Sequence, residues 1–532
     1  MKFFLRKAKN MGRYINLGNE SFMNIRNSEY VDKTGFIAVV NSYVNSMQKL
    51  ICVSRPRRFG KSVGTKTLCA YYDRSCDSEK LFCDLEIAKD KSFKEYLNKF
   101  PVIYLDITWF ISNCKDIKQT VDYLERSVGE ELKKNYPDAD GKTLAEIISG
   151  IVEKTDEKFV IIIDEWDALF REAKTDFELQ KEYVSFLRGL FKSSLTDKMF
   201  ALAYMTGILP IKKYGTQSAL TDFKEYTMLS PKRFARYVGF TESEVKNLCE
   251  KYDVDFEETK KWYNGYSFSQ EKAVYSPNSV IEAMLNGEFD DYWAKTETFE
   301  SLRVYIDMDF DGVRNDLAFM LGGGECKINP LSFQNDMTSI ASKDDVFTLF
   351  VHLGYLSFNS ENSTVRIPNK EVRQEFLTAI KNSSRKEISK MILDSEKLLE
   401  DTLSGNESAV AKAFERIHDS VVAPNFYNNE QALRSVIRFA YISAVDDYVQ
   451  IQELPSGKGY ADIVFIPRKS SSLPAIIVEL KWNKSPESAL EQMKTRNYPC
   501  VVSEFSGEIV LVGINYDEKK GHECRIEKID QK

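Results

Sequence analysis

KLICVSRPRRFGKS (49–62) decides the reading of this chain: a short apolar strand runs straight into Phe59-Gly60-Lys61-Ser62. Glycine at 60 lets backbone N–H groups approach phosphate oxygens. Lys61 then reaches the β- and γ-phosphates, Ser62 ligates magnesium, and the following helix N-terminus adds its positive dipole. Arg55 stands five positions before Gly60, where such loops open on glycine. A GKS tripeptide alone is weak, because it falls by chance on solvated turns. The other half of the site lies in FVIIIDEWD (159–167), a second apolar strand ending in carboxylates. Asp164 is placed there to hold the magnesium, and Glu165 to orient and deprotonate a water. Strand–GKS followed by apolar–DE is far more specific than either half. Glu165 directly after Asp164 points to the P-loop division that carries an added catalytic glutamate.

The chain has 532 residues, enough for two to four domains. Its 43% hydrophobic and 29% charged composition is that of an ordinary globular protein. A net charge of −7 supplies no global basic field, so any nucleic-acid contact must come from a local groove. The nine cysteines form no C-x-x-C pair and there are three histidines, which leaves no zinc cluster and no disulfide framework. That usage fits a reducing, cytoplasmic setting. No apolar run approaches the roughly 18–20 residues of a membrane span, so no membrane partner is expected. The basic, briefly apolar MKFFLRKAKN is too short for a signal peptide. Met11 opens a stretch that reads like a natural start, with residues 1–10 either a disordered arm or not part of the native chain.

KLICVS (49–54), PVIYLDI (101–107), FVIIID (159–164) and MFALAYMTGI (199–208) are near-continuous apolar runs separated by amphipathic charged segments. This is the pattern of parallel strands buried on both faces, hence an α/β doubly wound P-loop domain over 1–230 with its ligand at the strands' C-terminal ends. Residues 231–395 read as a helical lid. Within it, DVFTLFVHLG, YLSF, TVRIPN and EVRQEFL give helix, hairpin, helix: a winged-helix-like module, or simply more lid. Residues 396–532 form a connector and a new αβββαβ unit. Its elements are a helix (429–445), the strands YVQIQEL, YADIVFIP and AIIVELKW, a helix (487–498) and a closing strand EIVLVGINY.

That last unit carries a second constellation. Glu479 and Lys481 share a strand face, because side chains at i and i+2 point the same way. Asp462, on the neighbouring strand, can face them, giving two carboxylates for a divalent cation with an amine beside it. Glu430 is a possible third acidic ligand, and Gln492 lies on the following helix, six residues before Tyr498. Carboxylates that hold magnesium, with a lysine that stabilises developing charge, are what metal-dependent phosphodiester hydrolysis needs. E-L-K alone is worthless as a signal; its place in the helix–strand–strand–strand–helix–strand order gives it weight. Basic and acidic residues are nearly balanced over 425–532, so the basic surface expected of a nuclease is missing.

With both constellations, the chain resembles a bacterial family joining an N-terminal AAA-ATPase-like domain to a C-terminal PD-(D/E)XK, restriction-endonuclease-like domain. The matching stretches include NSEYVDKTGFI (27–37), SRPRRFGKS (54–62), IIIDEWD (161–167), MTGI (205–208), WYNGYSF (262–268), LPSGKGYADIVFIP (454–467) and VELKW (478–482). In that family RPRRFGKS replaces the glycine-opened loop. The resemblance implies that Tyr30, Asp32 and Lys33 lie near the nucleotide, the alternative being a capped helix start. It implies a γ-phosphate sensor at Thr206, the alternative being a satisfied strand-end hydroxyl. Arg57 and Arg58 would touch phosphates or a neighbouring subunit of a homo-oligomer, or else are solvated. The WYNGY stretch reads as a tight turn with core aromatics.

Three functions compete. The first is a nuclease acting on DNA or RNA under the control of ATP and Mg2+ at the N-terminal site. The second is a nucleotide-dependent switch or scaffold whose nuclease fold binds without cutting. The third is a plain ATPase with a structural C-terminal domain.

Overall fold

The computed structural model describes residues 12–211, 220–293, 312–333, 340, 342–381, 386–421, 440–456, 459–467, 473–496, 498, 502, 508–517 and 519–530. The chain separates into two compact units, residues 1–293 with 327–368, and residues 294–326 with 369–532.

The first unit is built on a five-stranded parallel sheet. Its strands are β1 (Leu50–Ser54), β2 (Val102–Asp106), β3 (Phe159–Asp164), β4 (Phe200–Gly207) and β5 (Lys224–Tyr226), in the spatial order β2-β3-β4-β1-β5. Every residue of β1, β3 and β4 is buried, as unbroken apolar runs require when helices cover both faces. The helices α1 (Gly35–Asn41) and α2 (Lys61–Tyr72) cover one face, where Ile51, Val53, Ile162 and Tyr204 join Phe36 and Leu68 in one core. Helices α3 (Thr120–Asn135), α4 (Leu144–Thr155) and α5 (Ala168–Glu172) cover the other, through Leu124, Val128, Ile148 and Leu169 against Ile103 and Ile161. β4 lies between β1 and β3, so the two motif-bearing strands do not pair; their C-terminal ends flank it on either side.

The expected lid contains strands as well as helices. Helix α6 (Glu242–Tyr252) begins in a reciprocal cap between Thr241 and Glu244, the T-x-x-E pattern legible in FTESE. Helix α7 (Phe256–Tyr263) follows, with a small antiparallel sheet of β6 (Phe240–Thr241), β7 (Tyr266–Phe268) and β8 (Glu271–Tyr275). The WYNGYSF stretch is the end of α7 and all of β7. Helix α8 (Lys343–Leu353) and a hairpin of Ser357–Asn359 with Thr364–Arg366 complete the unit. The second helix expected after that hairpin, Lys370–Lys381, belongs to the other unit.

The second unit holds a mixed sheet of β9 (Tyr448–Ser456), β10 (Gly459–Pro467), β11 (Ala475–Trp482), β12 (Glu508–Asp517) and β13 (Gly521–Asp530), paired in chain order. Only β11 and β12 pair parallel, and helix α9 (Pro486–Thr495) makes the crossover between them. Strand β13 is an addition to the sequence expectation, which closed the unit at EIVLVGINY. Most of the helix expected at 429–445 lies outside the described residues, and Ile442–Asp446 forms a 3-10 turn.

Candidate functional site

The loop from β1 to α2 turns on two left-handed residues, Arg58 with φ 66° and Gly60 with φ 77°. A Cβ built at Gly60 would meet nothing within 4 Å, so the protein leaves space there and the glycine answers the backbone angle. Gly60 is the N-cap of α2 and offers no side-chain cap, so the first-turn amides of this 12-residue helix are open to an anion. Lys61 is buried, with Nζ 3.2 Å from the Pro56 carbonyl oxygen and 3.2 Å from Glu165 Oε1. Ser62 is exposed and acts on the Asp164 carboxylate as a neighbour that favours its charged form.

Asp164 ends β3 and is almost fully buried. Its Oδ2 accepts from Thr65 Oγ1 at 3.1 Å and from the Tyr104 hydroxyl at 3.2 Å. Burial, then the neighbouring Glu165 charge, pushes its carboxyl above the usual carboxylate range, against Ser62 and Lys61. A cation adjacent to Ser62 and Asp164 would relieve that penalty. Glu165, the first residue beyond β3, adopts a left-handed backbone with φ 51°. Its carboxylate is held by Lys61 and by Arg171, whose Nη2 lies 2.5 Å from Oε2. Arg171 also donates from Nε to Asp167 Oδ2 at 3.2 Å. Asp167 accepts from the amides of Ile208 and Leu209, bracing the chain after β4. Thr65, Tyr104 and Arg171 were not singled out in the sequence; Arg171 alone had a signal, lying four residues from Asp167 on one helix face.

Gly60, Lys61, Ser62, Asp164 and Glu165 thus converge. The side chain of Phe59 turns away: it is 1% exposed, edge-on to Tyr266 at 5.2 Å and to Trp293 at 6.0 Å, so only its backbone stays with the loop. A Cβ on Gly354 would sit 2.8 Å from both Pro56 and Trp293, and Tyr266 donates its hydroxyl to the Gly354 carbonyl at 2.6 Å. The loop is therefore seated on lid aromatics. Arg57 and Arg58 are exposed. The Thr206 hydroxyl donates to the Val53 carbonyl at 2.7 Å, which uses its one proton inside the sheet. Asp32 accepts from the Thr34 amide and hydroxyl and from the Glu86 amide, fixing the start of α1. Tyr30 packs edge-on to Phe22. Lys33 reaches Glu244 of α6 at 2.6 Å.

In the second unit, strand alternation puts Leu480 into one core and leaves Glu479 and Lys481 on the opposite face, beneath α9. The ladder Ile463↔Val478, continued by one step, brings Asp462 opposite Glu479. All three side chains are buried, at 6% exposure for Asp462, 2% for Glu479 and 6% for Lys481. Lys481 Nζ lies 2.9 Å from Glu479 Oε1, which also accepts from Gln492 Nε2. Asp462 Oδ2 accepts from the Leu480 amide at 2.9 Å, and Gln492 reaches the Tyr498 hydroxyl at 3.3 Å. Glu479 Oε2 is buried with no hydrogen-bond partner. Burial, then the Asp462 charge, pushes the Glu479 carboxyl up to about 7. An orphaned carboxylate oxygen beside a second carboxylate fits a divalent cation. Glu430 lies outside the described residues, and among these no three His, Cys, Asp or Glu side chains converge as a metal cluster.

Residues 16–216 match the family model described as "Predicted AAA-ATPase", and residues 428–526 match the PD-(D/E)XK nuclease superfamily. The chain therefore joins an AAA-ATPase-like domain to a domain of nuclease-superfamily fold. No curated protein matches it. Among solved structures, the ORC2 protein of Aeropyrum pernix in its ADPNP-ADP complexes is similar over 66% of this chain and 96% of that chain. Identity is 11% and the TM-score 0.26. No helix among the described residues is long and apolar enough to cross a membrane.

Proposed function

We propose that the chain binds ATP with magnesium, hydrolyses it slowly, and uses nucleotide state to control metal-dependent phosphodiester cleavage of nucleic acid at the second site. The observation that carries the cleavage reading is the Asp462, Glu479 and Lys481 set: three buried charges on adjoining strands with one carboxylate oxygen unpartnered. The AAA-ATPase-like match and the open helix N-terminus beside Lys61 and Asp164 support the nucleotide reading.

In the first site the loop amides and Lys61 would bind phosphates, Ser62 and Asp164 would hold magnesium, and Glu165 would take a proton from water. Arg171 orients Glu165, and the lysine that now pairs with it would turn to the phosphates. In the second site Asp462 and Glu479 would hold a divalent cation, which when bound supplies Lewis-acid polarisation and a more acidic water. Lys481 would stabilise the negative charge that grows on the phosphate, and Gln492 fixes the Glu479 rotamer. The protein is proposed to be cytoplasmic and to divide as 1–230, 231–395 and 396–532.

A second reading has its own support. Lys481 and Gln492 already occupy Glu479 Oε1, an arrangement that suits a fold kept for binding without cutting. Incubating wild type with plasmid, single-stranded DNA and RNA, in magnesium, manganese or EDTA, separates the two. Metal-dependent cutting supports the nuclease; nucleic-acid binding without cutting supports the switch.

A further inference from the structure

Arg55 interrupts the glycine-opened loop pattern, and its surroundings give that interruption a purpose. It stands one residue beyond β1, and its amide donates to the Gly207 carbonyl at 2.9 Å, pinning the start of the loop to the end of β4. Alternation carries the row Ile51, Val53, Arg55 along one face, and the first two pack in the core shared with α1 and α2. The side chain therefore runs into the protein beneath the loop. It is 6% exposed, Nε is buried with no hydrogen-bond partner, and among the described residues no carboxylate pairs with the guanidinium.

Its charged and polar surroundings deepen the imbalance. The Tyr204 hydroxyl and the Lys33 ammonium are its electrostatic neighbours. Lys33 is satisfied by Glu244 at 2.6 Å and by the Arg236 carbonyl at 2.9 Å, and Glu244 is further committed to capping α6 through the Thr241 amide. Glu244 is thus already committed to Lys33 and to the helix cap, and among the described residues no ion pair reaches Arg55. A buried guanidinium with no counter-charge is strongly disfavoured unless something absent from the free protein supplies the charge. The place is right for that: just outside the C-terminal ends of parallel strands, next to the open N-terminus of α2.

We propose that Arg55 is a second phosphate-binding cation of the nucleotide site, taking the phosphate nearest the nucleoside while Lys61 takes the distal ones. This rests on the nucleotide reading above. The assignment of ends follows from the neighbours. Lys61 is 3.2 Å from Glu165, the group that would activate water at the terminal phosphate. Arg55 instead has Tyr204 and Lys33 as electrostatic neighbours, and Lys33 lies in the N-terminal segment that leads into α1. Its planar fork of N–H donors suits two oxygens of one phosphate.

The test compares full-length wild type, Arg55→Met, Arg55→Lys and Lys61→Ala for binding of ATP, ADP, AMP and adenosine, by calorimetry or competition. Arg55→Met should weaken all three nucleotides about tenfold or more, the worth of a charge-assisted hydrogen bond, and leave adenosine unchanged. Lys61→Ala should weaken ATP and ADP but spare AMP, and Arg55→Lys should recover part of the loss. Without ligand, Arg55→Met should melt no lower than wild type, since it removes an unpaired charge. The inference is overturned if Arg55→Met binds AMP, ADP and ATP as wild type does. It is equally overturned if that variant melts lower while Arg55→Lys restores melting with no change in affinity, the mark of a structural role. Wild type that binds no nucleotide defeats the nucleotide reading itself, a result distinct from either.

Discussion

Lys61 Nζ lies 3.2 Å from Glu165 Oε1, so the cation expected to bind phosphate and the carboxylate expected to activate water are paired with each other. The contact stores both groups in the positions from which nucleotide would separate them. Arg171 takes the second Glu165 oxygen, so release of Lys61 would not set the carboxylate adrift.

Lys61→Ala should abolish ATP binding or sharply weaken it, because the phosphates lose the buried cation beside the loop amides. Glu165→Gln should bind ATP yet turn it over at least about a hundredfold more slowly, the usual worth of a positioned base. Calorimetry paired with phosphate release checks both. Unchanged ATP affinity in the Lys61 variant would sink the assignment of this loop.

Phe59→Ala should destabilise the protein by about 3–5 kcal/mol, as truncating a fully buried phenylalanine does. The ring is held between Tyr266 and Trp293, so the loss should also loosen the loop and reduce ATP affinity. Urea unfolding measures the first effect. A loss under about 1 kcal/mol would mean that the loop is not seated on the lid aromatics.

Asp462→Ala and Glu479→Ala should each remove stabilisation by magnesium or manganese. For wild type that stabilisation is about 2.7 kcal/mol at a hundred times the dissociation constant. Thermal melts across a metal titration read it directly. Equal metal-induced shifts in wild type and both variants would place the metal elsewhere.

His352 gives a pH signature unrelated to either site. Both ring nitrogens are buried without a hydrogen-bond partner, and burial pushes its pKa from 6.5 down to about 4. The unfolded chain therefore takes up a proton below 6.5 that the folded chain refuses until about 4. Stability present above 6.5 is lost as pH falls through that window, by about 2 kcal/mol at pH 5. Urea unfolding at pH 7 and pH 5 should show His352→Leu losing about 2 kcal/mol less than wild type between them. Equal losses would contradict the neutral buried imidazole.

The parallel sheet was legible because strands buried on both faces read as unbroken apolar runs, and β1, β3 and β4 show no exposed residue. Strand β13 was not, because GHECRIEKID alternates charged with apolar residues and becomes a strand only through its ladder with β12. The meeting of Asp462 with Glu479 followed from alternation, and Arg171 had its four-residue spacing from Asp167 as a signal, whereas Thr65 and Tyr104 reach the first site through helix and strand placements that no local pattern encodes. Phe59 belonged by sequence to a phosphate loop, yet its ring is spent on the lid, since a large apolar side chain gains most where water is excluded. Arg55 stands where such loops open on glycine, and its burial without a counter-charge comes from the tertiary packing, which no local pattern encodes.

Coupling requires that ATP and nucleic acid change each other's affinity by the same factor. The measurement that tests the account most directly compares wild type, Lys61→Ala and Lys481→Ala on the same labelled DNA and RNA, with magnesium or manganese, with and without ATP. The account predicts that wild type cuts, that Lys481→Ala loses cutting while keeping ATP hydrolysis, and that Lys61→Ala changes the cutting rate or its response to ATP. Wild type that cuts nothing in any nucleotide state, or Lys481→Ala that cuts as wild type does, would contradict it.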